Sequence, residues 1–318
     1  MRSRRLVGIL TICVVLLGAL VSAGATERIS LATGGTAGTY YPIGSAMASI
    51  ITKHVPGVEV TAEATGASVA NMRMMASGQV ELMMGASTTV FGGYSGQPPF
   101  EKEPVKNIRG VMSLYPEIFQ FIVLKDSPMK NLYDLKGKKV AVGAPGSGTE
   151  VNVKLIMQAH GLEYSDFSPQ FLNFGEAVTA LKDRIVDCAV VAAGVPTSAV
   201  VDVSTSLDVR LLDLDTKVME EFLKDRPFLH ITQIPKGTYR GIDVDVSAAA
   251  SPALLVARDD VKEEMVYAIT KAVFDNLDTI VASHVQGKML KLETALNAMS
   301  IPLHPGAEKY YKEMGVLK

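Results

Sequence analysis

The sequence predicts an α/β protein of two lobes, each an open and mostly parallel sheet flanked by helices, facing each other across a cleft. Two observations carry that expectation. A unit of strand, glycine-rich loop, helix, strand, helix, strand and small-residue loop occurs twice, with corresponding residues 106 to 110 positions apart. Two apolar stretches, 118–124 and 248–258, stand where the chain would pass from one unit to the other and back. Open parallel sheets bind ligands beyond the carboxyl ends of their strands, so two such units with facing loops define a cleft.

The chain has 318 residues and opens on a segment of different character. Arg2, Arg4 and Arg5 precede an uncharged stretch over 6–21, and Ala23-Gly24-Ala25 follows it. This is the three-part pattern of a secretory signal peptide, cleaved after Ala25. The alternative is a membrane anchor, for which the stretch is short, since a span needs about 20 apolar residues. Cys13 has no small-residue setting for lipid attachment. The expected mature protein is extracytoplasmic, and Cys188 is its only cysteine. Its apolar setting, Val186-Asp187-Cys188-Ala189-Val190, suits a small core residue rather than a reactive thiol.

In the first unit, Ile29-Ser30-Leu31-Ala32 reads as a strand running into Thr33-Gly34-Gly35-Thr36-Ala37-Gly38-Thr39-Tyr40. A helix follows, with Ile43, Met47, Ile50 and Ile51 at helical spacing, and Gly57 closes it. A second helix over 68–77 leads to a strand at 80–84 and then Gly85-Ala86-Ser87. In the second unit, a strand at 139–142 runs into Gly143-Ala144-Pro145-Gly146-Ser147-Gly148-Thr149-Glu150. Its helix carries Val151, Leu155, Ile156 and Ala159 on one side and stops at Gly161. A helix over 176–182 leads to a strand at 185–191 and Ala192-Ala193-Gly194. Gly38-Thr39 corresponds to Gly148-Thr149, and Glu81 to Asp187. Near the C-terminus a helix is expected from Asp260, with Glu263 completing a capping box. Val266, Ile269, Val273, Phe274, Leu277 and Ile280 form its core stripe. The lobes are then 26–122 with 246–318, and 123–245.

Composition bounds the partners. Hydrophobic residues make up 48% and charged residues 20%, which suits a packed globular chain and excludes a disordered one. Without Arg2, Arg4 and Arg5 there are 28 basic residues against 33 acidic, so no basic face for nucleic acid is indicated. The glycine loops suit an anion instead. Glycine lets backbone approach a ligand, the first N–H groups of a helix lack intrahelical partners, and the helix dipole favours negative charge there. Neither loop ends in the Gly-Lys-Ser/Thr of a P-loop, and Val151 breaks a G-x-G-x-x-G register. With no lysine to neutralise a phosphate, a carboxylate is the better match. His54, His160, His230, His284 and His304 are scattered without ligand spacing, so neither a metal nor a cofactor is expected. Met72, Met74, Met75, Met83 and Met84 suit a core.

Four motifs together resemble the TAXI family, the TRAP-associated extracytoplasmic solute receptors. They are Ala32-Thr-Gly-Gly-Thr-Ala-Gly-Thr-Tyr-Tyr-Pro42, Ala64-Thr-Gly-Ala-Ser-Val-Ala-Asn71, Val142-Gly-Ala-Pro-Gly-Ser-Gly-Thr-Glu150 and Ile301-Pro-Leu-His-Pro-Gly-Ala307. The resemblance implies a two-lobed periplasmic-binding-protein fold, type II-like, with two hinge crossings. It implies delivery of a small carboxylate, such as glutamate, 2-oxoglutarate or a dicarboxylate, to an ion-gradient-driven TRAP permease of fused subunits. It also implies a ligand site of Gly35, Thr36, Gly38, Thr39 and Tyr40 in the first loop; Ala67, Ser68 and Asn71 in the second; Ser87 after the third strand; Pro145, Ser147, Gly148 and Thr149 in the second lobe; and Val195, Pro196 and Thr197 beyond its last strand. Relatives often carry an acid where this chain has Thr88, which favours a plain carboxylate or keto acid over an amino acid. Asn71, one turn into its helix, is read either as a cleft donor or as an exposed polar residue.

Two other classes use the same sequence differently. A periplasmic hydrolase would need a nucleophile elbow, and Gly93-Tyr94-Ser95-Gly96-Gln97 and Pro145-Gly146-Ser147-Gly148 both miss the G-x-S-x-G register. A sensor presenting its closed form to a membrane kinase would use the same cleft.

Overall fold

The computed structural model describes residues 26–318 except 225 and 227; the expected signal segment, 1–25, lies outside the described residues. The first half opens with β1 (Glu27–Ala32), α1 (Tyr40–His54), β2 (Val58–Glu63), α2 (Ser68–Ala76), β3 (Leu82–Ala86) and α3 (Ser87–Ser95). Its strands lie side by side as β2-β1-β3, all parallel. The long β4 (Ile108–Leu124) leads to the second half: β5 (Lys139–Ala141), α4 (Gly148–Ala159), β6 (Ser168–Gln170), α5 (Phe174–Lys182), β7 (Cys188–Ala193) and α6 (Ser198–Ser206). These strands repeat the arrangement as β6-β5-β7, again parallel. After β8 (Val209–Leu211), α7 (Thr216–Leu223) and β9 (His230–Ile234), the long β10 (Val246–Arg258) returns to the first half. There α8 (Glu263–Asp275), α9 (Leu277–Ser283) and α10 (Pro305–Glu313) complete it.

One mixed sheet runs through the molecule in the order β2-β1-β3-β10-β4-β7-β5-β6. Each parallel trio is thus followed by one long antiparallel strand, and those two strands, β10 and β4, pair with each other. They are the two crossings. β4 pairs with β10 up to Ile118 and with β7 from Ile118 onward. β10 pairs with β9 up to Ala250 and with β4 beyond it. Pro116 and Pro252 oppose each other in this pair, and the register shifts immediately after Pro252. Proline offers no N–H to the ladder, and a register shift bends a strand, so the ladder is weakest where the halves meet.

The equivalence of Glu81 and Asp187 has a structural cause. Each stands one residue before the third strand of its trio. The Ser30 N–H of β1 donates to Glu81 Oε2 at 2.9 Å, and the Lys139 N–H of β5 donates to Asp187 Oδ2 at 2.8 Å. In the second half the backbone pairs there too, since the Asp187 N–H donates to the Lys139 carbonyl at 2.8 Å. β3 begins at Leu82 rather than residue 80, and β7 at Cys188 rather than residue 185.

Both faces of each half are covered, as parallel sheets require. In the first half, Ile43, Met47 and Ile51 of α1 pack with Val266, Ile269 and Val273 of α8 and Tyr310 and Tyr311 of α10. Val69, Met72, Met75 and Met83 fill the other face with Val90 and Ile108. Cys188 is fully buried in the second half, and burial pushes its thiol well above the usual range.

Three details differ from the sequence expectation. The C-terminal helix starts at Glu263, so its N-cap position falls on Lys262, which has no acceptor, and Asp260 Oδ1 accepts from Arg258 Nε at 2.6 Å instead. The expected single stripe is split at Asn276 between α8 and α9, and Phe274 and Leu277 are only partly buried. In α4 the buried face is Asn152, Val153, Ile156 and Met157, while Val151 and Leu155 border an outer groove. Gly161 ends that helix with φ +70°, and the Leu162 N–H returns to the Met157 carbonyl at 2.9 Å, as expected of a glycine stop. Among the described residues, no helix is long and apolar enough to cross a membrane.

Candidate functional site

The carboxyl ends of β1 and β7 point toward each other, and the helices that follow β1, β2, β5 and β6 start around the same point. They enclose a cavity of about 40 Å³. From the first half come Gly34, Gly35, Gly38, Thr39 and Tyr40 before and at the start of α1, with Ala67 and Ser68 at the start of α2. From the second come Gly148 and Thr149 at the start of α4, Phe174 at the start of α5, and Ala192 and Ala193 ending β7. Tyr115 and Glu117 enter from the crossing strand β4.

Local sequence explains this convergence. A side chain at Gly148 would bring its Cβ within 2.6 Å of Ser68 Oγ and 3.1 Å of Thr89 Oγ1, so only glycine lets the α4 start close on the α2 start. Ala67, just before α2, sits at φ 68° and ψ −151°, a region that glycine favours. Such backbone costs about 1–3 kcal/mol and persists where the surroundings hold it. Here Thr65 Oγ1 accepts from the Ala67 N–H at 3.0 Å.

Hydrogen bonds tie the halves around the cavity. The Ala70 N–H donates to the Gly146 carbonyl at 3.1 Å, and Asn152 Nδ2 to Thr88 Oγ1 at 2.8 Å. Thr39 Oγ1 donates to the Gly194 carbonyl at 3.3 Å, and Ser198 Oγ to the Ala37 carbonyl at 2.9 Å.

Among the described residues, no lysine, arginine or histidine lines this cavity. What favours an anion there is the helix N-termini, each equivalent to roughly half a positive charge. Its one carboxyl group is Glu117, 8% exposed, whose Oε2 accepts from the Tyr40 hydroxyl at 2.8 Å. Burial pushes the Glu117 carboxyl up to about 8, against the opposing effect of the Tyr40 bond. Burial and the nearby Glu117 hold the Tyr40 and Tyr115 phenols well above their usual range. The buried Tyr115 hydroxyl has no hydrogen-bond partner among the described residues.

Of the residues expected from sequence, Gly35, Gly38, Thr39, Tyr40, Ala67, Ser68, Gly148 and Thr149 meet at the cavity. The others do not line it. Thr36 is exposed on the loop. Asn71 is neither a cleft donor nor exposed: its Nδ2 donates to the Thr33 carbonyl at 2.6 Å and the Met84 carbonyl at 2.9 Å, and its Oδ1 accepts from Thr65 Oγ1 at 2.6 Å. Ser87 Oγ turns to β10, 3.1 Å from Ser251 Oγ. Ser147 Oγ caps α4 by accepting from the Glu150 N–H at 3.1 Å, and Pro145 lies in the turn before it. Thr197 is occupied by the Gly194 carbonyl at 2.8 Å and Gln120 Nε2 at 3.1 Å, and Val195 and Pro196 lie with it beyond the cavity. Sequence reasoning missed Tyr115, Glu117 and Phe174 altogether. One signal was available: Tyr115-Pro116-Glu117 places the strand's single acid in its mainly apolar sequence, with Tyr115 and Glu117 on one face.

The residues weighed for catalysis have other partners. Ser95 Oγ donates to the Phe91 carbonyl at 2.6 Å. His160 Nδ1 lies 2.8 Å from the Ile156 carbonyl oxygen, and His304 Nε2 lies 2.9 Å from that of Val261. Among the described residues no group of three His, Cys, Asp or Glu side chains could hold a metal ion.

Two α/β halves, two antiparallel crossings and a cavity between facing helix starts define the fold of a periplasmic solute-binding protein. Solved structures agree. A protein from Bordetella bronchiseptica RB50 matches with TM-score 0.54 and 20% identity, covering 92% of this chain and 89% of that one. The alkanesulfonate-binding protein SsuA from Xanthomonas axonopodis pv. citri, bound to MOPS, matches at 0.50 and 13% identity over 91% and 85%. A putative L-cystine ABC transporter from Listeria monocytogenes matches at 0.50 and 14% over 81% and 94%. At these identities the likeness is one of fold. Residues 31–315 match the NMT1-like family, and the chain belongs to it.

Proposed function

We propose that this protein is an extracytoplasmic solute receptor that closes its two lobes on a small carboxylate and presents the closed form to a membrane permease of the TRAP type. The observation that carries the reading is the convergence of the α1, α2 and α4 N-termini, from both halves, on one buried cavity without a basic side chain. Unpaired N–H groups and helix dipoles there suit a carboxylate better than a multiply charged phosphate. The cavity admits few atoms in this arrangement, so a ligand enters when the halves part. Contacts made only after closure then shift the population toward the closed form. The lobes proposed are 26–122 with 246–318, and 123–245; the strand partners change a few residues inward of those limits, at Ile118 and Ala250. Export by residues 1–25 and the TRAP partner rest on the sequence pattern and on the TAXI resemblance. The hydrogen-bonded serines and histidines support binding rather than hydrolysis.

The test is a thermal-shift screen of the purified protein against mono- and dicarboxylates, keto acids, amino acids and alkanesulfonates. A solute at 100 times its Kd adds about 2.7 kcal/mol, several degrees of melting temperature. A shift with one carboxylate class is expected. A shift confined to sulfonates would overturn the carboxylate assignment and keep the receptor. Transport by a reconstituted permease that follows an ion gradient, not ATP, tests the partner.

A further inference from the structure

The cavity holds an acid that a receptor for plain carboxylates does not need. Glu117 lies on β4 where the strand passes between the halves, beside Pro116 and opposite Ser251 of β10. The Tyr40 hydroxyl from α1 holds one of its oxygens at 2.8 Å, and no basic side chain lines the cavity. Tyr115, two residues earlier on the same face, adds a hydroxyl without a partner. The titratable groups facing Glu117 are therefore the two phenols of Tyr40 and Tyr115, both neutral near pH 7.

A carboxylate on the helix N-termini accounts for the α1, α2 and α4 starts. It leaves Glu117 buried with the Tyr40 hydroxyl and no cation beside it, so it can ionise there only at a cost, and a second ligand carboxylate could sit beside it only while it stays protonated. An ammonium group resolves both conditions, because a buried carboxylate is stabilised by an opposite charge within a few ångströms. We propose that Glu117, positioned by Tyr40, is the subsite for a ligand ammonium group, so that the cavity selects carboxylates carrying an amine over their deaminated counterparts. This rests on the carboxylate reading of the site.

Protonation follows. Burial raises the empty-site Glu117 to about 8, so near pH 7 it is mostly a neutral carboxyl. An arriving ammonium lowers that pKa and expels the proton. Binding of the aminated ligand therefore releases close to one proton at pH 7, and its Kd falls up to tenfold per pH unit up to about 8, where it levels off.

The test uses matched probes: L-glutamate with glutarate, L-alanine with propionate, and L-leucine with 4-methylpentanoate. Isothermal titration in two buffers of different ionisation enthalpy gives both Kd and proton count. For the pair that binds, the amine is expected to bind at least tenfold more tightly, with proton release. Glu117→Gln should remove that preference and the proton release. Equal affinity within every pair, no proton release from the unmodified protein, or a preference retained in Glu117→Gln would each overturn the inference and leave the carboxylate reading standing. Binding of no member of any pair would overturn the carboxylate reading and this inference with it.

Discussion

At the residue scale, the site separates groups that face the cavity from groups that hold the facing loops in place. Asn71 is the plainest holder. Fully buried, it joins the end of β1, the loop before α2 and the end of β3 through the Thr33 and Met84 carbonyls and the Thr65 hydroxyl. Replacing it with alanine strands buried acceptors, and each stranded group costs about 1–3 kcal/mol. Asn71→Ala is expected to lose roughly 2–4 kcal/mol in urea unfolding, while whatever affinity the folded fraction keeps stays within a fewfold of the original. A large loss of affinity at unchanged stability would instead make Asn71 a ligand contact. Helical spacing cannot distinguish these roles, because the partners of Asn71 are carbonyls of other strands that no local pattern announces.

At the element scale, the repeated unit was legible in the sequence because both copies obey the same local rules. Glycine loops precede the helices that start at Tyr40 and Gly148, and an acid precedes the third strand of each trio. What was not legible is which face of α4 packs inward, since Val151, Val153, Leu155 and Ile156 offer two plausible stripes. Tyr115 and Glu117 were hidden because β4 looks like an ordinary apolar crossing until its position between the lobes is known. The closeness of the α2 and α4 starts gives a direct test. A methyl group at residue 148 would lie 2.6 Å from Ser68 Oγ in the closed arrangement, a contact between the halves rather than within α4. Gly148→Ala is therefore expected to melt within a few degrees of the unmodified protein while its Kd for the best solute rises at least tenfold. Unchanged affinity would mean that the two helix starts do not meet in the liganded form.

At the scale of the whole molecule, two groups of contacts that join the halves behave differently on opening, beside ring contacts such as Phe91 with Phe228 at 4.7 Å. One is the covalent pair of crossings, β4 and β10, with Pro116 facing Pro252 and a register shift beside them. The other is a set of single hydrogen bonds around the cavity mouth, such as Ala70 to Gly146 and Asn152 to Thr88. The first group persists in any opened form; the second does not, and each such bond is worth only about 0.5–1.5 kcal/mol. That asymmetry, a ladder interrupted at the crossing and a mouth held by a few replaceable contacts, is what hinge closure around a ligand requires. A solute that contacts both halves adds its own differential affinity to the closed side and to nothing else. Small-angle scattering of the purified protein is therefore expected to show a smaller radius of gyration with saturating solute than without it. Asn152→Ala, which removes one tie from the mouth and leaves both crossings intact, should enlarge the solute-free radius or leave it unchanged, and should weaken binding. An unchanged radius on adding a solute that binds tightly by calorimetry would mean that the halves do not move, and that ligands reach the cavity by a local opening of its loops.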